Sequence, residues 1–156
     1  MMNLQQIKPG SWGFHVTDPL TGAPLKILLY GRDQNGSSSP EPSKELLAVA
    51  TNTAENACRI RDGYIDRICD PDFLVGREAT EFRSPGFTDE ELMNRDDSVM
   101  HRMREQTKLV HIAVEQYPGG SIDIRGYVTD PWGRVWELGD DYIDGYFSPA
   151  DFTDPI

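Results

Sequence analysis

With 156 residues the chain has room for one domain with a sizeable apolar core. Its 15 basic against 26 acidic residues give a formal charge of −11, a sign that disfavours direct binding to phosphate backbones or anionic membranes. Three tryptophans, six tyrosines and six phenylalanines exclude a largely disordered chain, and two cysteines exclude a disulfide framework.

Residues 1–11 are polar and close on Pro9-Gly10, which reads as a short N-terminal arm. From Trp12 the period becomes two. Trp12, Phe14 and Val16 point to one face and Gly13, His15 and Thr17 to the other, as in a half-buried strand. Asp18-Pro19-Leu20-Thr21-Gly22 reverses the chain, with proline presetting φ and glycine available where φ must be positive. The returning strand, Leu25 to Tyr30, carries Ile27, Leu28 and Leu29 in succession, a run that predicts burial on both faces and a central place in the sheet.

Residues 33–43 are almost entirely turn formers and predict a flexible loop. Ser43 then caps a helix running to Ile68, whose apolar stripe includes Leu47, Ala50, Ala54, Ala57, Cys58, Ile65 and Ile68. Gly63 weakens it by up to ~1 kcal/mol relative to alanine. Asp70-Pro71-Asp72 ends the helix, and residues 73–86 show no clean period. Thr88 and Glu91 form a capping box flanked by Phe87 and Leu92, which predicts a second helix from Asp89 with Leu92, Met93, Val99, Met100 and Met103 on its apolar side. Strands at 109–116, 121–129 and 134–138 follow as a meander, turned by Tyr117-Pro118-Gly119-Gly120 and Asp130-Pro131-Trp132-Gly133. The second turn echoes the first hairpin: His15-Val16-Thr17-Asp18-Pro19 against Tyr127-Val128-Thr129-Asp130-Pro131. The expected fold is α+β, a single domain over 1–156: an antiparallel sheet built from the N-terminal hairpin and the C-terminal meander, with two helices on one face.

The string Asp18 to Asp33, DPLTGAPLKILLYGRD, resembles the opening hairpin of bacteriophage tail-assembly chaperones. Pro19, Thr21, Gly22, Pro24, Leu25, Gly31, Arg32 and Asp33 match that pattern, while Gln34 stands where the family usually has serine. The resemblance covers the first hairpin. It implies a phage tail-assembly protein that binds tape-measure and tail-tube proteins before they polymerise, in the host cytoplasm. The absence of any strong catalytic constellation in the sequence separately predicts a protein without enzymatic activity or cofactor. Composition suggests a different class, an acidic inhibitor or immunity-type protein that blocks a basic site on an enzyme or nucleoprotein.

Catalytic signatures are weak. His15-Val16-Thr17 and His111-Ile112-Ala113 sit on strands as the two His-x-Thr motifs of two-histidine phosphoesterases do, but Ala113 lacks the second phosphate-binding hydroxyl. Asp130 to Glu137 resembles the closing hairpin of vicinal-oxygen-chelate metalloenzymes, whose last glutamate binds metal. His111 and Glu137 are joined here only by a tight meander, which does not suit that ligand set. Cys58 and Cys69, eleven positions apart near one helix, fit a core better than a disulfide or a zinc site, and a reduced cytoplasmic setting is expected. No apolar run approaches membrane-spanning length, and the N-terminus lacks the core of a signal peptide. No catalytic, cofactor or metal residue is therefore assigned.

Instead, the expected contact is the acidic aromatic tail, 139–156, together with Glu137 before it. After Arg134 no Lys, Arg or His occurs. Glu137, Asp140, Asp141 and Asp144 would steer a basic partner protein, and Tyr142, Tyr146, Phe147 and Phe152 would anchor it.

Overall fold

A computed structural model describes residues 4–19, 21–70, 90, 96–131, 133–139 and 143–147. Seven strands and three helices are found among them: β1 (Gln5–Lys8), β2 (Ser11–Thr17), β3 (Pro24–Gly31), α1 (Lys44–Glu55), α2 (Ala57–Ile68), α3 (Asp97–Gln106), β4 (Lys108–Gln116), β5 (Ile122–Thr129), β6 (Val135–Leu138) and β7 (Ile143–Phe147). The fold is α+β, and the strands lie in the sheet in chain order, β1 to β7.

The sheet is mixed rather than wholly antiparallel. Each neighbouring pair is antiparallel except β3 and β4, which run parallel in the register Lys26 opposite His111 through Gly31 opposite Gln116. The reason is the connection. A hairpin returns the chain at once, whereas the helices between β3 and β4 carry it back to the end where β3 began, so β4 starts in the same direction. β3 is central as its sequence predicts: Ile27, Leu28 and Leu29 are fully buried between β2 and β4. Each such side chain contributes roughly 1.5–3 kcal/mol on leaving water. The segment expected as an arm carries β1, paired to β2 through Gln5 opposite Gly13 and Gln6 opposite Trp12.

Three described helices replace the expected two. The first expected helix is divided at Asn56, whose φ of −107° and ψ of 13° leave helical geometry. Its buried stripe is also displaced, to Leu46, Ala50, Thr53, Ala57, Arg61, Tyr64 and Ile68. Arg61 occupies a core position because the Asp18 carboxylate meets its guanidinium there. Ser43 caps α1 as expected, its hydroxyl accepting from the Leu46 amide at 3.0 Å. The Thr88–Glu91 capping box lies outside the described residues apart from Glu90; α3 has its own cap, Asp96, which accepts from the Ser98 amide at 2.8 Å. Of the expected flexible loop, the first turn is tied down by Asp33, whose Oδ1 accepts from the amides of Asn35 and Ser37, each at 2.9 Å.

The helices cover one face of the sheet. Leu46, Ala50 and Ala57 pack on Trp12, Phe14, Ile27, Leu29, Ile112 and Val114, and Tyr64, Ile68, Cys69, Val99 and Met103 pack on Val128, Trp136 and Leu138. Alternation along the strands sends Leu28, Tyr30, Ala113, Arg125, Tyr127 and Val135 to the opposite face. Among the described residues no helix is long and apolar enough to cross a membrane.

Candidate functional site

The two Asp-Pro turns that read alike differ in length and in use: Gly22 donates to the Asp18 carbonyl four residues back at 2.7 Å, and Gly133 to the Asp130 carbonyl three residues back at 3.1 Å. Asp18 closes its turn by donating its amide to the Ala23 carbonyl at 2.9 Å, and Asp130 does the same to Arg134 at 2.8 Å. The Asp18 carboxylate then reaches across to Arg61 on α2, whereas Asp130 accepts from the Arg134 amide at 2.9 Å and from Trp136 Nε1 at 2.8 Å. One turn is locked to a helix. The other is locked to its own hairpin.

That second hairpin leads to the acidic end. β6 pairs with β7 through Val135 opposite Phe147, Trp136 opposite Tyr146 and Leu138 opposite Ile143, with a register shift between Trp136 and Leu138. β7 therefore carries Asp144, Tyr146 and Phe147 on the last strand of the sheet, hydrogen-bonded to β6 along one edge, and among the described residues no strand lies beyond it. Asp140, Asp141, Tyr142 and Phe152 lie outside the described residues.

Glu137 belongs elsewhere. Its side chain is drawn into a polar network on the face away from the helices, and the residue is 9% exposed. Tyr127 Oη donates to Glu137 Oε2 at 3.1 Å. Arg125 donates to Glu137 Oε1 at 3.4 Å and to Glu115 Oε1 at 2.8 Å. Burial pushes the Tyr127 hydroxyl above its ordinary range, with Glu137 adding to the effect against Arg125. The Arg125 guanidinium is held above its usual value by Tyr127, Glu115 and Glu137 despite the cost of desolvation. Glu137, expected in the acidic contact, is thus placed in this largely buried network.

His111 stacks beside this network, its ring centroid 4.5 Å from that of Tyr127 with planes tilted by 32°. Burial, with Lys26 and Arg125 nearby, lowers its pKa from 6.5 to about 4, so the imidazole is neutral at pH 7. Lys26 stands directly between His15 on β2 and His111 on β4 in the strand register. Two strand spacings put the two histidines about 10 Å apart. His15 is exposed and His111 is 3% exposed. The two do not converge on a common point.

A cavity of about 460 Å³ opens on this same face. Its floor is Tyr30, His111, Glu115, Arg125 and Tyr127, and its rim is Lys8, Gly10, Ser11, Arg32 and Ser38. The rim is fixed by backbone contacts: Gly31 donates to the Gly10 carbonyl at 2.9 Å, and Arg32 bridges to Ser38. Gly10 has a φ of +81°, and a Cβ there would lie 2.6 Å from Ser38 Cβ, so glycine is required for the rim to close. The alternation of Ile122-Asp123-Ile124-Arg125-Gly126-Tyr127 places Arg125 and Tyr127 on one face from sequence alone; their convergence with His111 and Tyr30 requires the strand order.

No group of three or more His, Cys, Asp or Glu side chains placed to hold a metal ion occurs among the described residues. Cys58 and Cys69 are free thiols, and burial pushes the Cys69 thiol up. Comparison with family models, curated proteins and solved structures finds no match to the chain.

Proposed function

We propose that the chain is a protein-binding module without catalytic activity, acting in the cytoplasm as the phage tail-assembly chaperones that its first hairpin resembles do, by holding a tail protein before assembly. The observation that carries this reading is the position of β7. A terminal strand offers a row of backbone donors and acceptors to an incoming strand, and here it sits in the most acidic stretch of the chain. Such an edge favours a partner with a basic surface and an extended segment. The separation of His15 from His111 by Lys26 speaks for binding rather than two-histidine phosphoester chemistry.

Co-expression with tail-tube and tape-measure proteins of the same genome, followed by purification through a tag on this chain, tests the reading. A stoichiometric complex is expected, and separate elution of all components would sink it. The charge of −11 favours a second reading, an acidic inhibitor that occupies a basic site on an enzyme or nucleoprotein. A gene placed beside a toxin or defence system, rather than among tail genes, distinguishes that alternative.

A further inference from the structure

The cavity on the face away from the described helices is lined, among the described residues, by charge opposite in sign to that of the chain as a whole. Among the described residues three cations line it, Lys8, Arg32 and Arg125, against one acid, Glu115, in a chain whose formal charge is −11. Arg125 is already engaged by Glu115 and Glu137. Lys8 and Arg32 are exposed at the rim and form no ion pair among the described residues. The floor is aromatic, with Tyr30, Tyr127 and the neutral ring of His111. At about 460 Å³ the space has the size of a small-molecule site, larger than a bare inorganic anion needs.

We propose that this cavity binds a small organic anion, a carboxylate or phosphate ester attached to a flat ring, with the ring against Tyr30 and Tyr127 and the charge at Lys8 and Arg32. Ring against ring supplies apolar area in a defined orientation, and the two rim cations supply charge-assisted hydrogen bonds. The acidic exterior does not forbid this, because a concave site near fixed cations is governed by its own lining more than by distant charges screened beyond about 8 Å at physiological ionic strength. The site is independent of the β7 edge, and so is its test.

Phenyl phosphate and benzoate serve as probes, with inorganic phosphate and neutral benzyl alcohol as controls, in titrations followed by NMR. Saturable shifts at Tyr30, Tyr127 and His111 are expected for at least one aryl anion, and the two anions reveal which charged group is preferred. Lys8→Ala with Arg32→Ala removes two exposed rim side chains and one exposed hydrogen bond, from Arg32 Nη1 to the Gly36 carbonyl at 3.4 Å, and should weaken that binding by roughly tenfold or more with little change in melting. The proposal is overturned if neither aryl anion saturates, if inorganic phosphate binds as tightly as both, or if the double variant binds like the parent.

Discussion

Tyr127 and Glu137 face each other across β5 and β6, and the tyrosine hydroxyl donates to the buried carboxylate at 3.1 Å. Glu137 also balances Arg125, so removing it leaves both a phenol and a guanidinium short of an acceptor. Glu137→Ala should therefore lower unfolding stability by about 2–3 kcal/mol, and Tyr127→Phe by about 1 kcal/mol. Urea denaturation of the two variants checks this. A Glu137→Ala protein as stable as its parent would mean that the acid is not the partner that Arg125 and Tyr127 require.

Gly126 makes room for Tyr64. A Cβ at this position of β5 would fall 2.1 Å from Tyr64 Cδ2, which a packed helix cannot yield without moving. Gly126→Ala is expected to cost about 2–3 kcal/mol through overpacking. In a double-mutant cycle, Gly126→Ala should cost much less on a Tyr64→Ala background, because the clash is then gone. Additive losses would show that the glycine serves some other purpose.

The Asp18–Arg61 pair fastens the first hairpin to α2 with both side chains largely out of water. Arg61 also donates to Asp62 at 2.8 Å, so Asp18→Ala leaves the guanidinium one partner, whereas Arg61→Ala strips the buried Asp18 carboxylate of this cation; the expected losses are about 1–2 kcal/mol for the first and about 3 kcal/mol for the second. The combined Asp18→Leu and Arg61→Met replacement should recover most of the loss. Thermal melting of the three variants distinguishes an ion pair from two independent contributions.

His111 makes stability depend on pH. Its folded pKa of about 4 lies below the ordinary 6.5, so the unfolded chain binds a proton that the folded chain does not. The contribution is complete above pH 6.5 and is lost as pH falls toward 4, amounting to roughly 3 kcal/mol over that window. His111→Phe keeps a ring against Tyr127 and removes the titration. Denaturation curves between pH 7 and 4 should be flatter for the variant by this amount; parallel profiles would contradict the buried neutral imidazole.

Local chemistry was legible in the sequence and long-range direction was not. Asp18-Pro19 to Gly22 and Asp130-Pro131 to Gly133 announce their turns, and the Ile27-Leu28-Leu29 run announces a strand covered on both faces. The parallel pairing of β3 with β4 depends on where the intervening helices deliver the chain, and no local pattern encodes that. Arg61 has the composition of a solvated helix position, yet it is buried with its guanidinium held by the neighbouring Asp62 and by Asp18, which arrives from a distant turn. Glu137 reads as one acid in an acidic run, yet register places it opposite Tyr127 and beside Arg125. The same cross-strand register assembles the cavity, which the overall charge of the chain conceals.

The central claim, that the acidic end around β7 receives a basic protein, is tested most directly by isolating the tagged chain from the cells that make it, beside an Asp140→Lys and Asp141→Lys variant, over a series of salt concentrations. One basic protein is predicted to be retained in stoichiometric amount by the parent, less as salt rises, and to be lost from the variant while its melting temperature stays unchanged. A partner retained equally by parent and variant at every salt concentration, or no stoichiometric partner at all, would contradict the account.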